Sequence, residues 1–374
     1  MRIDLVITEL FVGGAEKCLT DLALSLHDRG HHVRVFSLAS LPNGEQRQFV
    51  DGLEEKGILV ETAACDSVWQ AWKAYRFLRR RFREYRPDLV QTFLHHANIL
   101  GAYAAQSADV HHCVAAVRVA QTGRHRNYIE RLALKRVDHV LCVSRAVEQF
   151  AQHVLHCNPS KTTVIPNGVN LKRFENSPRR NWSDLGWSSN AKVLLFLGRL
   201  DPQKGLELLQ EQVDQIAPSG SEQKLLLIGD GPLRQTIQTW ANQVGSDRVQ
   251  VLPWQSDVAS WLASCDLLVL PSRYEGMPNV LLEAMASTKP VVCSLVEGTE
   301  ELLGETTALQ GFSPGDASEM ADRIQNLMKH PEIAYEMGKR NRNRVANDFS
   351  LPAFMERYEQ FYLSILGEKH QGAR

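Results

Sequence analysis

The sequence predicts an α/β protein made of two doubly wound halves, each a parallel sheet flanked by helices. Three observations carry this. Short apolar runs alternate with stretches of helical period along the whole chain. The runs are continuous rather than alternating, as in strands buried on both faces. After a polar junction near SPRRNWSDLGWSSN the same rhythm starts again at KVLLFLGR.

In the first half, RIDLVIT reads as a strand, ELFVGG as a loop, and AEKCLTDLALSLHDRG as a helix with apolar positions at helical spacing. HVRVFSL, ILVETA, DLVQTF, HCVAAVR and DHVLCVS follow as strands with helical stretches between them. In the second half, KVLLFLGR, KLLLIGD, VQVLPW, DLLVLPS and PVVCSLV read as strands. GLELLQEQVDQIA and LRQTIQTWANQV read as two of the intervening helices. TTVIPNGVN marks the junction, and SLPAFMERYEQFYLSIL reads as a terminal amphipathic helix. The expected units are residues 1–168, residues 169–348 and a terminal helix at 349–374.

Bulk properties narrow the function. A length of 374 residues suits two domains. With 44% hydrophobic and 23% charged residues the chain is globular. A net charge of −1 gives no field to recruit nucleic acid, and no such partner is expected. The apolar runs are far shorter than the roughly 20 residues of a membrane span, and MRIDLVITEL lacks a secretory signal pattern. The seven cysteines are scattered without a CxxC, which suits small hydrophobes in a reducing cytosol. The pairs His31/His32, His95/His96 and His111/His112 are adjacent in sequence, where side chains diverge, so no metal site is expected.

Ligands of open parallel sheets bind beyond the carboxyl ends of the strands, which selects three loops. In ELFVGGAE, Gly13 and Gly14 let backbone approach a ligand, and the following helix aims its N–H groups there. The pattern is not GxGxxG, and no dinucleotide fingerprint is matched. In GRLDPQKG, Arg199 and Lys204 lie five residues apart between Gly198 and Gly205, a fork and a point charge suited to a diphosphate leaving group. In EGMPNVLLE, Glu275 falls in a Gly/Pro loop at a strand end and reads as a hydroxyl acceptor. Pro278 suits the first turn of the next helix, or Asn279 caps it. Glu283 lies in the early turns, where macrodipole compensation alone is worth roughly 0.3–1 kcal/mol.

The spacing of Glu275 and Glu283 in PSRYEGMPNVLLEAMASTKPVV resembles the EX7E motif of retaining glycosyltransferases of family 4. VGGAEK, RPDLVQTF, VSRAV, VIPNGVNLKRF, GRLDPQKG, LLIGDGPLR and FSLPAFMERYEQFY resemble segments of that family in the same order, over nearly the whole chain. The resemblance implies the GT-B fold: two Rossmann-like domains facing across a cleft, with the last helix crossing back to the N-terminal domain. It implies an N-terminal acceptor-binding domain and a C-terminal nucleotide-sugar-binding domain. It implies that Arg199 and Lys204 hold the donor diphosphate, that Glu283 binds the ribose hydroxyls and that Glu275 contacts the donor sugar. Gly276, Met277, Pro278 and Asn279 then meet sugar and phosphate through their backbone, and Gly14 meets donor phosphate and acceptor. Asn167 and Gly168 lie in a hinge-like segment. The implied reaction moves a hexose or N-acetylhexosamine from a nucleoside-diphosphate sugar, UDP-linked by family frequency, to a glycan or lipid-linked acceptor of the cell envelope. Anomeric configuration is retained, no metal is required, and the departing phosphate takes the acceptor proton. Loss of Arg199 or Lys204 is expected to lower turnover by orders of magnitude with the fold intact.

The chain departs from the family where many members carry a histidine that faces the donor sugar: HCVAAVR ends at Arg118. His96 ranks first for that role, with His95, Arg118 and His125 behind it. Residues 69–86, WQAWKAYRFLRRRFREYR, carry seven cations, one acid and six aromatics, a pattern suited to an anionic membrane surface. The expected location is the cytoplasm, with that helix as a peripheral attachment to the inner face of the membrane. Competing readings are a nucleotide-sugar-binding GT-B protein without transferase activity, and a GT-B epimerase.

Overall fold

Continuous apolar runs become the strands of two parallel sheets. The computed structural model describes residues 1–121 and 123–371, with side chains to residue 367. The last three residues of the expected terminal helix lie outside the described residues. The chain divides into two compact units: Met1–Asn167 together with residues from Phe354 onward, and Gly168–Ala353.

The strands of the first unit are β1 (Arg2–Ile7), β2 (His32–Ser37), β3 (Leu59–Thr62), β4 (Leu89–Phe93), β5 (Cys113–Val117), β6 (His139–Cys142) and β7 (Thr162–Val164). Among the described residues their order is β3-β2-β1-β4-β5-β6-β7, all parallel. β4 and β5 are buried along their whole length, which is why they show no alternation. The second unit holds β8 (Lys192–Leu197), β9 (Gln223–Ile228), β10 (Val249–Leu252), β11 (Leu267–Leu270), β12 (Val291–Ser294) and β13 (Gly311–Phe312). Their order is β10-β9-β8-β11-β12-β13, again parallel.

Each order reverses at one place, between β1 and β4 in the first sheet and between β8 and β11 in the second. Helices leave the sheet on opposite faces there, and the diverging loops open a crevice. Gly13 ends the loop after β1 and Gly14 opens the next helix, while His95 and His96 open the helix that follows β4. The loops after β8 and β11 carry Arg199, Lys204 and Glu275.

Three details differ from the sequence expectation. GLELLQEQVDQIA forms two short helices, Leu206–Glu211 and Val213–Ile216, broken at Gln212. β7 and β13, three and two residues long, carry too little apolar pattern to stand out. The helix after Glu275 runs Asn279–Ala286, so Pro278 precedes its first turn and no side chain caps it.

The last helix, Leu351–Gln371, packs on the first unit through Phe354, Tyr358, Phe361, Tyr362 and Ile365, all buried and at helical spacing. The Tyr362 hydroxyl donates to Oε1 of Gln91, inside β4. Arg29 pairs with Glu359 at 3.2 Å.

Candidate functional site

In the second unit, Arg199 leaves the end of β8 with its side chain 71% exposed and its Nε 3.8 Å from the Asp201 carboxylate. An exposed pair at that separation holds it weakly, so the guanidinium is available to an incoming anion. Asp201 accepts the Gln203 N–H at 3.0 Å and so caps the short turn Pro202–Lys204. Gly205 then takes φ +62°, where a Cβ would sit 2.0 Å from the Pro271 carbonyl oxygen. Only glycine lets the β8 loop lie this close to the β11 loop.

That approach sets the central contact. Lys204 Nζ donates to Glu275 Oε1 at 2.5 Å, and the same oxygen accepts the Ser272 hydroxyl at 2.7 Å. Both side chains are largely buried, 16% and 9% exposed. The loops are stitched further by Gln203 Nε2 donating to the Tyr274 carbonyl at 2.8 Å, and by Arg273 N–H donating to the Gln203 carbonyl at 2.8 Å. The Glu275 N–H donates to Glu297 Oε2 at 3.2 Å. Glu297 follows β12, and the neighbouring Gly298, at φ +76°, places the Cβ position 2.2 Å from the Gly276 carbonyl oxygen.

The sequence reading thus placed Lys204 on a phosphate and Glu275 on a sugar, and the structure joins them to each other. Gly276, Met277 and Pro278 form the turn between Glu275 and the helix, and Met277 is buried. Glu283 is the fifth residue of that helix and is buried, so its carboxylate is not a solvated dipole partner. Glu297 and Ser272 were missed. The strand-end rule, applied to PVVCSLVEG as it was to DLLVLPSRYEG, would have found Glu297. Trp254 N–H donates to Asp230 Oδ2 at 2.8 Å, tying the loop after β10 to the loop after β9.

In the first unit, Gly13 and Gly14 open the helix Gly14–Asp28. The Glu16 side chain folds back over the turn, with Oε2 2.3 Å from where a Gly13 Cβ would be. Burial pushes this carboxyl up to about 7, with Glu9 adding to the rise and the first-turn N–H groups and Arg118 opposing it. Arg118 is buried and donates to Asn167 Oδ1. His96 is exposed, and its partial burial, with His95 and Arg126 nearby, lowers its pKa. His95 is instead held by Glu130, its Nδ1 2.8 Å from Oε2. His125 is exposed on the helix Arg124–Leu134. Among the described residues no group of three or more His, Cys, Asp or Glu is placed to hold a metal ion.

Models of two families match the chain: Glycosyltransferase Family 4 over residues 12–173, and Glycosyl transferases group 1 over residues 191–330. With its two Rossmann-like sheets, the chain is a glycosyltransferase of the GT-B fold. Its relatives include the Escherichia coli UDP-Gal:alpha-D-GlcNAc-diphosphoundecaprenol alpha-1,3-galactosyltransferase, 27% identical over 81% of this chain and 82% of that one. The Bacillus anthracis N-acetyl-alpha-D-glucosaminyl L-malate synthase is 31% identical over 66% of this chain and 65% of that protein. Among solved structures, Anabaena HepE in complex with UDP-glucose superposes with TM-score 0.84 at 23% identity, covering 97% of this chain and 100% of that one.

Proposed function

We propose that this glycosyltransferase takes a hexose or N-acetylhexosamine from a UDP-linked donor and transfers it, with retention, to a lipid-linked or glycan acceptor of the cell envelope. The observation that carries the donor assignment is the Lys204–Glu275 pair at the β8/β11 switch point, with the exposed guanidinium of Arg199 on the same loop. A departing nucleoside diphosphate gains negative charge in the transition state, and preorganised cations stabilise it there more than in the ground state. Lys204 and Arg199 supply them, Glu275 meets the sugar and Glu283 the ribose. In this reading the β-phosphate oxygen takes the acceptor proton as the bond to the anomeric carbon forms on the face the diphosphate leaves. The choice of UDP and of a diphospholipid-linked acceptor draws on the Escherichia coli relative, named for both.

The test supplies UDP-glucose, UDP-galactose and UDP-N-acetylglucosamine with a polyprenyl-diphosphate GlcNAc acceptor. UDP release and an α-linked product by NMR are expected, with turnover unchanged by EDTA. Calorimetric donor binding without acceptor-dependent release, or a β-linked product, would overturn the reading.

The proposal extends to the membrane. The helix Ala71–Tyr85 and the turn before it expose Trp69 at 92% and Trp72 at 65%, with Lys73, Arg76 and Arg80 continuing the same face. Tryptophans backed by cations suit the headgroup boundary of an anionic bilayer. Arg79 and Arg83 donate to the Ser107 carbonyl, Lys73 donates to the Ala64 carbonyl at 3.2 Å, and Arg80 pairs with Glu84 at 2.6 Å. No helix among the described residues is long and apolar enough to cross a membrane. Reversing Lys73, Arg76 and Arg80 to Glu is expected to abolish flotation with phosphatidylglycerol vesicles. Flotation equal to the wild type would remove the surface from the proposal.

A further inference from the structure

The first unit buries a charged cluster that the donor reading does not use. Glu130 Oε2 lies 2.8 Å from His95 Nδ1, and Glu130 Oε1 accepts Asn98 Nδ2–H at 3.1 Å. Asn98 is itself fixed, donating to the Ala116 carbonyl at 3.1 Å and accepting the Thr92 hydroxyl at 2.8 Å. Burying an ionised carboxylate costs several kcal/mol, roughly offset only when it is paired and fully hydrogen-bonded. Packing alone would be served better by apolar residues of similar volume, so the cluster calls for another task.

Its position supplies one. His95 is the first residue of the helix His95–Ser107, directly after β4 at the switch point of the first sheet. Leu94, the residue between, sits at φ +72°, a left-handed conformation that a branched side chain rarely adopts. Strain of this kind persists where surroundings hold it, and clusters at ligand sites. In the neutral ring, a carboxylate on Nδ1 places the proton on that nitrogen and leaves the lone pair on Nε2. Nε2 has no hydrogen-bond partner among the described residues. His96 is bound to no carboxylate, so nothing comparable fixes its ring.

We propose that His95 Nε2 accepts a hydrogen bond from a hydroxyl of the carbohydrate acceptor, and that Glu130 is the positioning residue that fixes the tautomer. This subsite rests on the glycosyl-transfer reading; it puts His95 on the acceptor, whereas the sequence ranks His96 first, with His95 behind it, for facing the donor sugar.

Glu130→Gln isolates the tautomer. Asn98 presents N–H to this side chain, so the glutamine oxygen faces Asn98 and its amide N–H faces His95 Nδ1. The ring proton must then move to Nε2, which turns an acceptor into a donor. His95→Asn is the second variant: its amide N–H replaces Nδ1–H on Glu130, and nothing replaces Nε2. In both, kcat/KM for the acceptor is expected to fall at least tenfold through a raised KM, while the Kd for UDP stays within twofold. Nitrogen-15 NMR of labelled histidine is expected to show His95 as the Nδ1–H tautomer in the wild type and Nε2–H in Glu130→Gln. No transfer by the wild type would fell the glycosyl-transfer reading. Transfer surviving with unchanged acceptor KM in both variants, or an Nε2–H wild type, would fell the subsite alone.

Discussion

Lys204→Ala is expected to lower turnover by about 10²–10³ and, separately, to destabilise the second unit. The first effect is the loss of a preorganised cation from the departing diphosphate, roughly 2.7–4 kcal/mol of transition-state stabilisation in comparable sites. The second was not expected from the sequence. Lys204 is the cation of a largely buried pair, and its removal leaves the Glu275 carboxylate with the Ser272 hydroxyl as the remaining side-chain partner on Oε1. Stripping one member from such a pair costs about 3–5 kcal/mol, because the other charge stays buried and uncompensated. The two effects come apart in the double variant Lys204→Ala/Glu275→Gln. Neutralising the acid removes the stranded charge, so the melting temperature should recover most of its loss while turnover stays low. Arg199→Ala supplies the contrast. With that side chain exposed and weakly paired, turnover should fall without a change in melting temperature. If the double variant regained activity along with stability, Lys204 would be a structural cation and the diphosphate assignment would fail.

The alternation of apolar runs with helical stretches made the two-sheet architecture legible, because a strand buried on both faces must be apolar along its length. β7 and β13 escaped notice since three and two residues leave no pattern. The strand-end rule located the loops of Gly14, Arg199, Lys204 and Glu275. What it could not supply was pairing. Lys204 and Glu275 are 71 residues apart, and they meet because Gly205 lets one loop lie against Pro271. The histidines illustrate the same limit. His95 and His96 are chemically identical neighbours, and what separates them is Glu130, 35 residues further on and on another helix. Spacing along the chain carries no information about which ring that carboxylate reaches.

Glu16→Gln should stabilise the protein at pH 8 and make no difference below about pH 4.5. An ordinary glutamate titrates near 4.5, whereas burial over the Gly13 turn moves Glu16 up to about 7. The folded chain therefore holds this proton more tightly than the unfolded chain does. Stability is highest where both states are protonated, falls as the pH rises from about 4.5 to about 7, and stays reduced above that. A shift of this size corresponds to a cost on the order of 3 kcal/mol at pH 8. Glutamine keeps an oxygen for the first-turn N–H groups and carries no charge, so the variant should escape the cost. Asp4, also raised by burial to about 6, contributes to the wild-type profile in the same direction, and the difference between wild type and variant isolates Glu16. Thermal unfolding from pH 4.5 to 8.5 would show two curves that diverge through pH 5–7 and then run parallel. Curves parallel throughout would mean that Glu16 is solvated, and that the carboxylate does not occupy the start of the helix at Gly14. The same neutralisation removes a negative charge from the helix start that favours incoming anions. Nucleotide-sugar affinity at pH 8 should then rise in the variant if that turn meets the donor phosphate, and stay unchanged if it does not.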